Sequence, residues 1–144
     1  MPAAPTIVWF RQDLRLADNP ALQAALDRDG PVIPLFIHAP DEEGDWPAGA
    51  ASRAYLHHSL ASLDGALRDR GSRLIVRRGK SLDVVRDVIE ATGAGAVFYA
   101  RRYEPAAIER DVEVEGALKR DRIEARGLGG ALLVEPGELM TRAG

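Results

Sequence analysis

The sequence predicts an α/β domain: a Rossmann-like, doubly wound, five-stranded parallel sheet with helices on both faces. Three observations predict it. Short apolar runs alternate along the whole chain with longer segments of helical periodicity, the pattern of repeated βα units and a parallel sheet. The runs Thr6–Phe10 and Val32–His38 are almost continuously apolar, as strands buried on both faces are. Helix start and stop residues stand between the runs, and right-handed crossovers leave the doubly wound layout as the simplest arrangement.

The first strand, Thr6–Phe10, empties into Arg11-Gln12-Asp13-Leu14-Arg15-Leu16 with no glycine-rich turn of the dinucleotide-binding kind. Asn19 then serves as N-cap and Pro20 takes the first helical position. This first helix carries Leu22 and Leu26 and ends near Gly30. In the second strand, Val32–His38, Pro34 removes a ladder donor, which places it near the strand start or beside an irregularity. Residues 41–49, acidic and rich in Gly and Pro, read as a loop. A second helix follows over residues 49–70, where Leu56, Leu60, Leu63 and Leu67 make one apolar stripe and Gly71 stops it. Residues 73–77 form the third strand. The third helix opens at Ser81 as N-cap, sets Leu82, Val85 and Ile89 on one face, and ends at Gly93 in a left-handed cap. Residues 96–99 are the fourth strand. The fourth helix runs from Glu104-Pro105 to about residue 122, with Glu115 and Lys119 as a surface i,i+4 pair. The fifth strand spans 123–126, with a further extended piece at 132–134. Gly127-Leu128-Gly129-Gly130 lacks the strand–glycine–helix context of a phosphate loop and reads as a flexible turn.

A length of 144 residues suits one domain, and 46% hydrophobic with 28% charged residues is a globular rather than a disordered composition. No apolar run approaches the roughly 20 residues of a membrane span, and Met1-Pro2-Ala3-Ala4-Pro5 has no basic region or signal core. A cytoplasmic protein without a membrane partner is expected. The absence of cysteine excludes disulfides, thiolate metal sites and cysteine nucleophiles. Of the histidines, His57 and His58 are adjacent and point about 100° apart on a helix, and His38 is distant from both, so no metal site is expected. The net charge of −3 argues against a domain that binds nucleic acid on its own. Arg77-Arg78-Gly79-Lys80 and Arg101-Arg102 read as solvated ends of elements.

In a doubly wound sheet, ligands lie beyond the carboxyl ends of the strands at the topological switch point. That rule singles out four segments, residues 11–15, 38–41, 77–80 and 100–104. The first of them belongs to the run Trp9-Phe10-Arg11-Gln12-Asp13-Leu14-Arg15-Leu16-Ala17-Asp18-Asn19-Pro20, which resembles the opening of the DNA photolyase/cryptochrome family. Gln12 stands where that family usually has a second arginine. The resemblance continues, in order, through Pro31-Val32-Ile33-Pro34-Leu35-Phe36-Ile37, Ala51-Ser52-Arg53-Ala54-Tyr55-Leu56, Gly71-Ser72-Arg73-Leu74 and Tyr99-Ala100-Arg101-Arg102-Tyr103-Glu104-Pro105. It includes Arg110-Asp111 and closes with Glu135-Pro136-Gly137-Glu138-Leu139-Met140-Thr141.

The resemblance implies the family's N-terminal α/β antenna domain over residues 1–135 and the start of an interdomain linker over 136–144. The C-terminal helical domain that binds FAD and damaged DNA is absent, so a piece of a longer gene is expected. It further implies a bound antenna chromophore: methenyltetrahydrofolate, 8-hydroxydeazaflavin or FMN, with nothing in the sequence to choose among them. In the parent enzyme, a carbon–carbon lyase, energy absorbed by the antenna passes to reduced FAD, which splits pyrimidine dimers by electron transfer. The chain by itself is expected to be inactive, with no catalytic residue of its own, and to associate with itself through the face that would dock the helical domain.

The same resemblance marks the candidate chromophore contacts as Arg11, His38, Ala39, Arg53, Ala100, Arg101, Tyr103 and Glu104. Arg11 is equally suited to a salt bridge with Asp13 or another loop acid. Arg53 offers a planar two-point guanidinium. Glu104 stands where folate-type relatives pair a glutamate with the pterin ring, although an acid at a helix start also suits the dipole. Ala39 and Ala100 depart from the family's usual acid and asparagine. Trp9 reads as core and Trp46 as a loop anchor. Two other readings stay open: a nucleotide- or flavin-binding module of similar architecture, and a docking domain with no chromophore.

Overall fold

The computed structural model describes residues 4–11, 14–39 and 50–129, the last stretch with side chains from residue 54. Among these residues the order is β1 (Thr6–Phe10), α1 (Pro20–Asp27), β2 (Val32–His38), α2 (Ala50–Arg68), β3 (Ile75–Arg78), α3 (Ser81–Thr92), β4 (Ala96–Ala100), α4 (Pro105–Arg120) and β5 (Glu124–Leu128). The strands form one parallel sheet in the order β3-β2-β1-β4-β5. The chain starts at the centre, works outward to β3, crosses back through α3 and works outward again to β5. This is the doubly wound sheet that the alternating pattern predicts.

The alternation of side chains along β1 divides the core in two. Val8 and Phe10 pack with Ala21 and Ala25 of α1 and Leu63 and Leu67 of α2. Ile7 and Trp9 pack on the opposite face with Val84, Val85 and Val88 of α3 and Val114 and Leu118 of α4. All five residues of β1 are buried, which explains a strand with no polar face. Trp9, at 2% exposure, is core as expected.

Pro34 lies inside β2 without breaking it. The Thr6 amide donates to the Pro31 carbonyl (2.9 Å), so the amides of Ile33 and Leu35 face β1 and the nitrogen of Pro34 faces β3. The β2–β3 ladder begins only at Leu35↔Ile75, so the missing donor falls one step before a partner strand exists.

Asn19 caps α1 as expected. Its Oδ1 accepts from the Leu22 amide (3.1 Å) and its Nδ2 donates to the Arg15 carbonyl (3.0 Å). Arg15 donates in turn to the carbonyls of Ala17 and Asp18, tying the turn together. Asn19→Ala is expected to lower stability by about 1–2 kcal/mol, read as a lower urea midpoint at unchanged slope. An unchanged midpoint would remove the cap from the account. At the far end of α2, Asp64 accepts from the Leu74 amide (2.9 Å) and from Arg68 (2.8 Å). The Leu74 amide first, then Arg68, hold its carboxyl below the ordinary range.

Several boundaries differ from expectation. Helix α1 stops at Asp27, where Arg28 turns extended, rather than near Gly30. Strand β3 starts two residues later than expected, because its ladder waits for Leu35. The N-cap of α3 is Lys80, not Ser81; Ser81 is already helical and buried, with Val84, Val85 and Val88 forming the inward face. Gly93 closes α3 in the left-handed conformation as expected, at φ 74°. Gly127 and Leu128 are not a flexible turn but the end of β5. The expected extended piece at 132–134, the linker boundary at 135/136, Trp46 and the acidic loop lie outside the described residues.

Candidate functional site

The strand order reverses direction between β1 and β4, so the crevice of this sheet opens at the carboxyl ends of these two strands. Their pairing ends at Trp9↔Tyr99. The Arg101 amide donates across to Leu128 of β5 (2.8 Å), which turns the Ala100 carbonyl the other way, toward β1. There β1 has ended and supplies no amide. Arg11, the next residue, supplies its side chain instead: its guanidinium donates to the Ala100 carbonyl.

The same guanidinium makes a two-point pair with Asp111 of α4, the second contact at 3.0 Å. It lies 5.0 Å from the Trp9 ring centre and 4.9 Å from that of Tyr99, and these two rings meet edge-on at 5.5 Å. Arg110 covers Trp9 at 5.2 Å and brings its Nε to 3.5 Å from Asp111. Arg11 and Asp111 are both buried, at 6% and 7% exposure. The base of the crevice is therefore filled by the protein's own ion pair. Of the two readings open for Arg11, the structure supplies a salt bridge, but to an acid in α4; Asp13 lies outside the described residues.

Beside this pair, the Tyr99 hydroxyl donates to the Glu115 carboxylate. Glu115 is thus bound to Tyr99 rather than to Lys119, the surface partner expected from i,i+4 spacing. Burial raises its pKa above the ordinary value near 4.5, and the Arg11 charge opposes the shift. The folded state therefore holds this proton to higher pH than the unfolded chain, so Glu115 ionisation costs stability as pH rises from about 4.5 through the raised value. Glutamine keeps an acceptor for Tyr99 and removes the titration. Urea unfolding at pH 4, 5.5 and 7 should show Glu115→Gln gaining on the parent chain as pH rises; parallel curves would contradict the raised value.

The segment from Ala100 to Glu104 joins β4 to α4. Arg101 Nε donates to the Gly127 carbonyl (3.2 Å). Glu104 is the N-cap residue of α4 but makes no side-chain cap; its carboxylate pairs with Arg102 (3.3 Å). A hydrogen bond from its own amide, followed by the Arg102 charge, keeps its pKa below the ordinary range despite partial burial. Arg101, Arg102, Tyr103, Ile108, Asp111, Val112 and Glu115 line a hollow of about 270 Å³ between this segment and α4.

Of the sequence candidates, Arg11, Ala100, Arg101, Tyr103 and Glu104 thus come together around the end of β4. His38 and Ala39 lie at the end of β2, with β1 between β2 and β4. His38 is half-buried and its carbonyl accepts from the Gly79 amide (3.1 Å). Ala39, at 7% exposure, belongs to the core on the α3 side. Arg53 falls within α2, but its side chain lies outside the described residues. Sequence reasoning missed Asp111, Glu115 and Tyr99 as one network. A signal was present: Asp111 sits in the inward period of α4 with Ala107, Val114 and Leu118.

Among the described residues, no group of three or more His, Asp or Glu is placed to hold a metal ion, and no helix is long and apolar enough to cross a membrane.

Comparison with known proteins covers nearly the whole chain. The family model described as DNA photolyase matches residues 6–144. The deoxyribodipyrimidine photo-lyase of Agrobacterium fabrum is 43% identical over all of this chain, which spans 29% of that protein. Cryptochrome-1 of Arabidopsis thaliana is 44% identical over 96% of the chain, which spans 20% of its length. A bacterial class III photolyase from Agrobacterium tumefaciens superposes over the whole chain with a TM-score of 0.90 at 42% identity, again over 29% of that structure. An archaeal photolyase from Sulfolobus tokodaii, solved with two FAD molecules, gives 0.82 over 91% of the chain at 32% identity, and the chain spans 30% of it.

Proposed function

Because the chain belongs to the DNA photolyase family, we propose that it is the light-harvesting, antenna-chromophore-binding domain of a deoxyribodipyrimidine photolyase. Its partner is a helical domain carrying FAD, and through that domain the parent enzyme acts on UV-damaged DNA. Cytoplasm is the proposed location. The antenna group supplies absorption in the near-UV and blue and passes its energy to the flavin. The residues of this chain supply no catalytic step; they bind and orient.

The observation that carries this reading is the end of β4. The hollow there offers Tyr103, Ile108 and Val112 to the body of a ring and Arg101 and Arg102 to an acidic tail. Glu104, kept ionised beside Arg102, is a carboxylate suited to two parallel hydrogen bonds from a pterin-like amide and amine. In this reading Tyr103, Arg101 and Glu104 touch the chromophore, and Arg53 of α2 with His38 and Ala39 at the end of β2 are further proposed contacts. Arg11 and Ala100 frame the segment from beneath. A nucleotide seated in the crevice is disfavoured, because Arg11 and Asp111 already fill it and no glycine-rich phosphate loop follows β1.

The test is the near-UV and blue absorption of the purified chain, before and after incubation with methenyltetrahydrofolate, 8-hydroxydeazaflavin and FMN. A bound, red-shifted band lost in Glu104→Ala and weakened in Arg53→Ala is expected. Failure of all three to bind would favour a docking domain.

A further inference from the structure

Charge is unevenly spread along this chain. Residues 68–80 carry Arg68, Arg70, Arg73, Arg77, Arg78 and Lys80 against the single acid Asp69, although the whole chain has a net charge of −3. All six cations are exposed. Arg68 is paired with Asp64, and Arg73 lends its charge to Asp64 at longer range. Among the described residues, no ion pair engages Arg70, Arg73, Arg77, Arg78 or Lys80.

These residues follow one border of the sheet. Strand β3 is its outermost strand. Arg70 and Arg73 stand where the chain enters it, Arg77 and Arg78 at its far end, and Lys80 caps α3 just beyond. The Gly79 amide donates inward to His38, which fixes the amides of Ile75 and Arg77 inward and those of Val76 and Arg78 outward. Arg77 and Arg78 then lean to opposite faces, and among the described residues no strand ladders the outward amides of Val76 and Arg78. An exposed edge of this kind is ordinarily kept from pairing with other strands by charge. Six cations along four strand residues and their flanks exceed what that protection needs.

We propose that this edge binds the phosphate backbone of duplex DNA, without reading sequence or damage, as a surface separate from the chromophore site. Five of the six cations are arginines, whose planar fork matches phosphate oxygens two at a time. Outward backbone amides are also phosphate donors. The edge lacks the anchors other polyanions require: Val76, half exposed, is its large apolar residue, whereas a lipid surface rewards inserted apolar side chains and an acidic protein rewards buried aromatic ones. The choice of DNA rests on the photolyase reading, but the surface does not depend on a bound chromophore.

The test is fluorescence anisotropy of the whole chain with a labelled, undamaged DNA duplex at 20–200 mM salt. About four phosphate contacts should make affinity fall roughly 100-fold between 50 and 200 mM. Arg77→Gln with Arg78→Gln should weaken binding at least tenfold at low salt and lower the salt slope by about two. Arg120→Gln with Arg126→Gln, which removes the same charge elsewhere, should leave both nearly unchanged. Equal effects of the two pairs, no binding at 20 mM salt, tighter binding to irradiated duplex, or capture by phosphatidylserine vesicles in place of DNA would each overturn the proposal. The chromophore spectrum reads the other site, so either result stands or falls alone.

Discussion

Asp111→Ala is expected to cost about 3–5 kcal/mol, the usual penalty for stripping the partner from a buried charge. A guanidinium is a permanent charge, and Arg11 cannot reach water without leaving the space between Trp9 and Tyr99. Another of its acceptors there, the Ala100 carbonyl, carries no charge. Against a total stability of about 5–15 kcal/mol for a domain, the loss removes a large share. Replacing both partners, Arg11→Met with Asp111→Leu, should be milder than Asp111→Ala alone, because the Arg11 charge goes with its partner, while Arg110 loses its contact with Asp111 in both variants. Urea unfolding of the three variants measures this. A single-mutant loss below about 1 kcal/mol, or a double mutant worse than the single, would show that the pair is not desolvated as its burial indicates.

Gly127→Ala comes second. Glycine inside a strand ordinarily costs stability relative to alanine, by roughly 0.5–1 kcal/mol, so the general expectation is a gain. The local geometry reverses the sign. A Cβ at Gly127 would lie 2.8 Å from Arg101 Cγ and 2.9 Å from Tyr99 Cε2. Arg101 is exposed and can swing aside. Tyr99 cannot: it is fully buried, packed against Trp9 and tied through its hydroxyl to Glu115. The expected loss is about 1–3 kcal/mol, larger for Gly127→Val. Gly65 in α2 has nothing within 4 Å and is the control; Gly65→Ala should stabilise. If both alanines stabilised, the close approach of Tyr99 to β5 would be refuted.

The fold was legible because two periodicities alternate cleanly and the caps at Asn19 and Gly93 carry their own chemistry. What escaped the sequence is instructive at single residues. Ser81 looked like an N-cap because serine favours that place, yet the backbone of Lys80 takes it and Ser81 turns inward. Gly127 looked like a turn because two more glycines follow it closely, whereas its lack of a side chain serves the approach of Tyr99. Arg11 is legible as an edge residue, but local spacing offers only nearby acids as its partner. Asp111 lies 100 positions away, and a pairing set by the sheet's order leaves no local trace in one sequence.

That order also bears on how the chain is made. Strand β1 gains its first neighbour, β2, at Thr6↔Val32, but its second only at Thr6↔Ala96, about 90 residues later. At ribosomal speeds of about 5–20 residues per second, β1 waits roughly 5–18 seconds with one side unpaired. During that interval the apolar run Thr6–Phe10 presents an unpaired edge for a chaperone to cover.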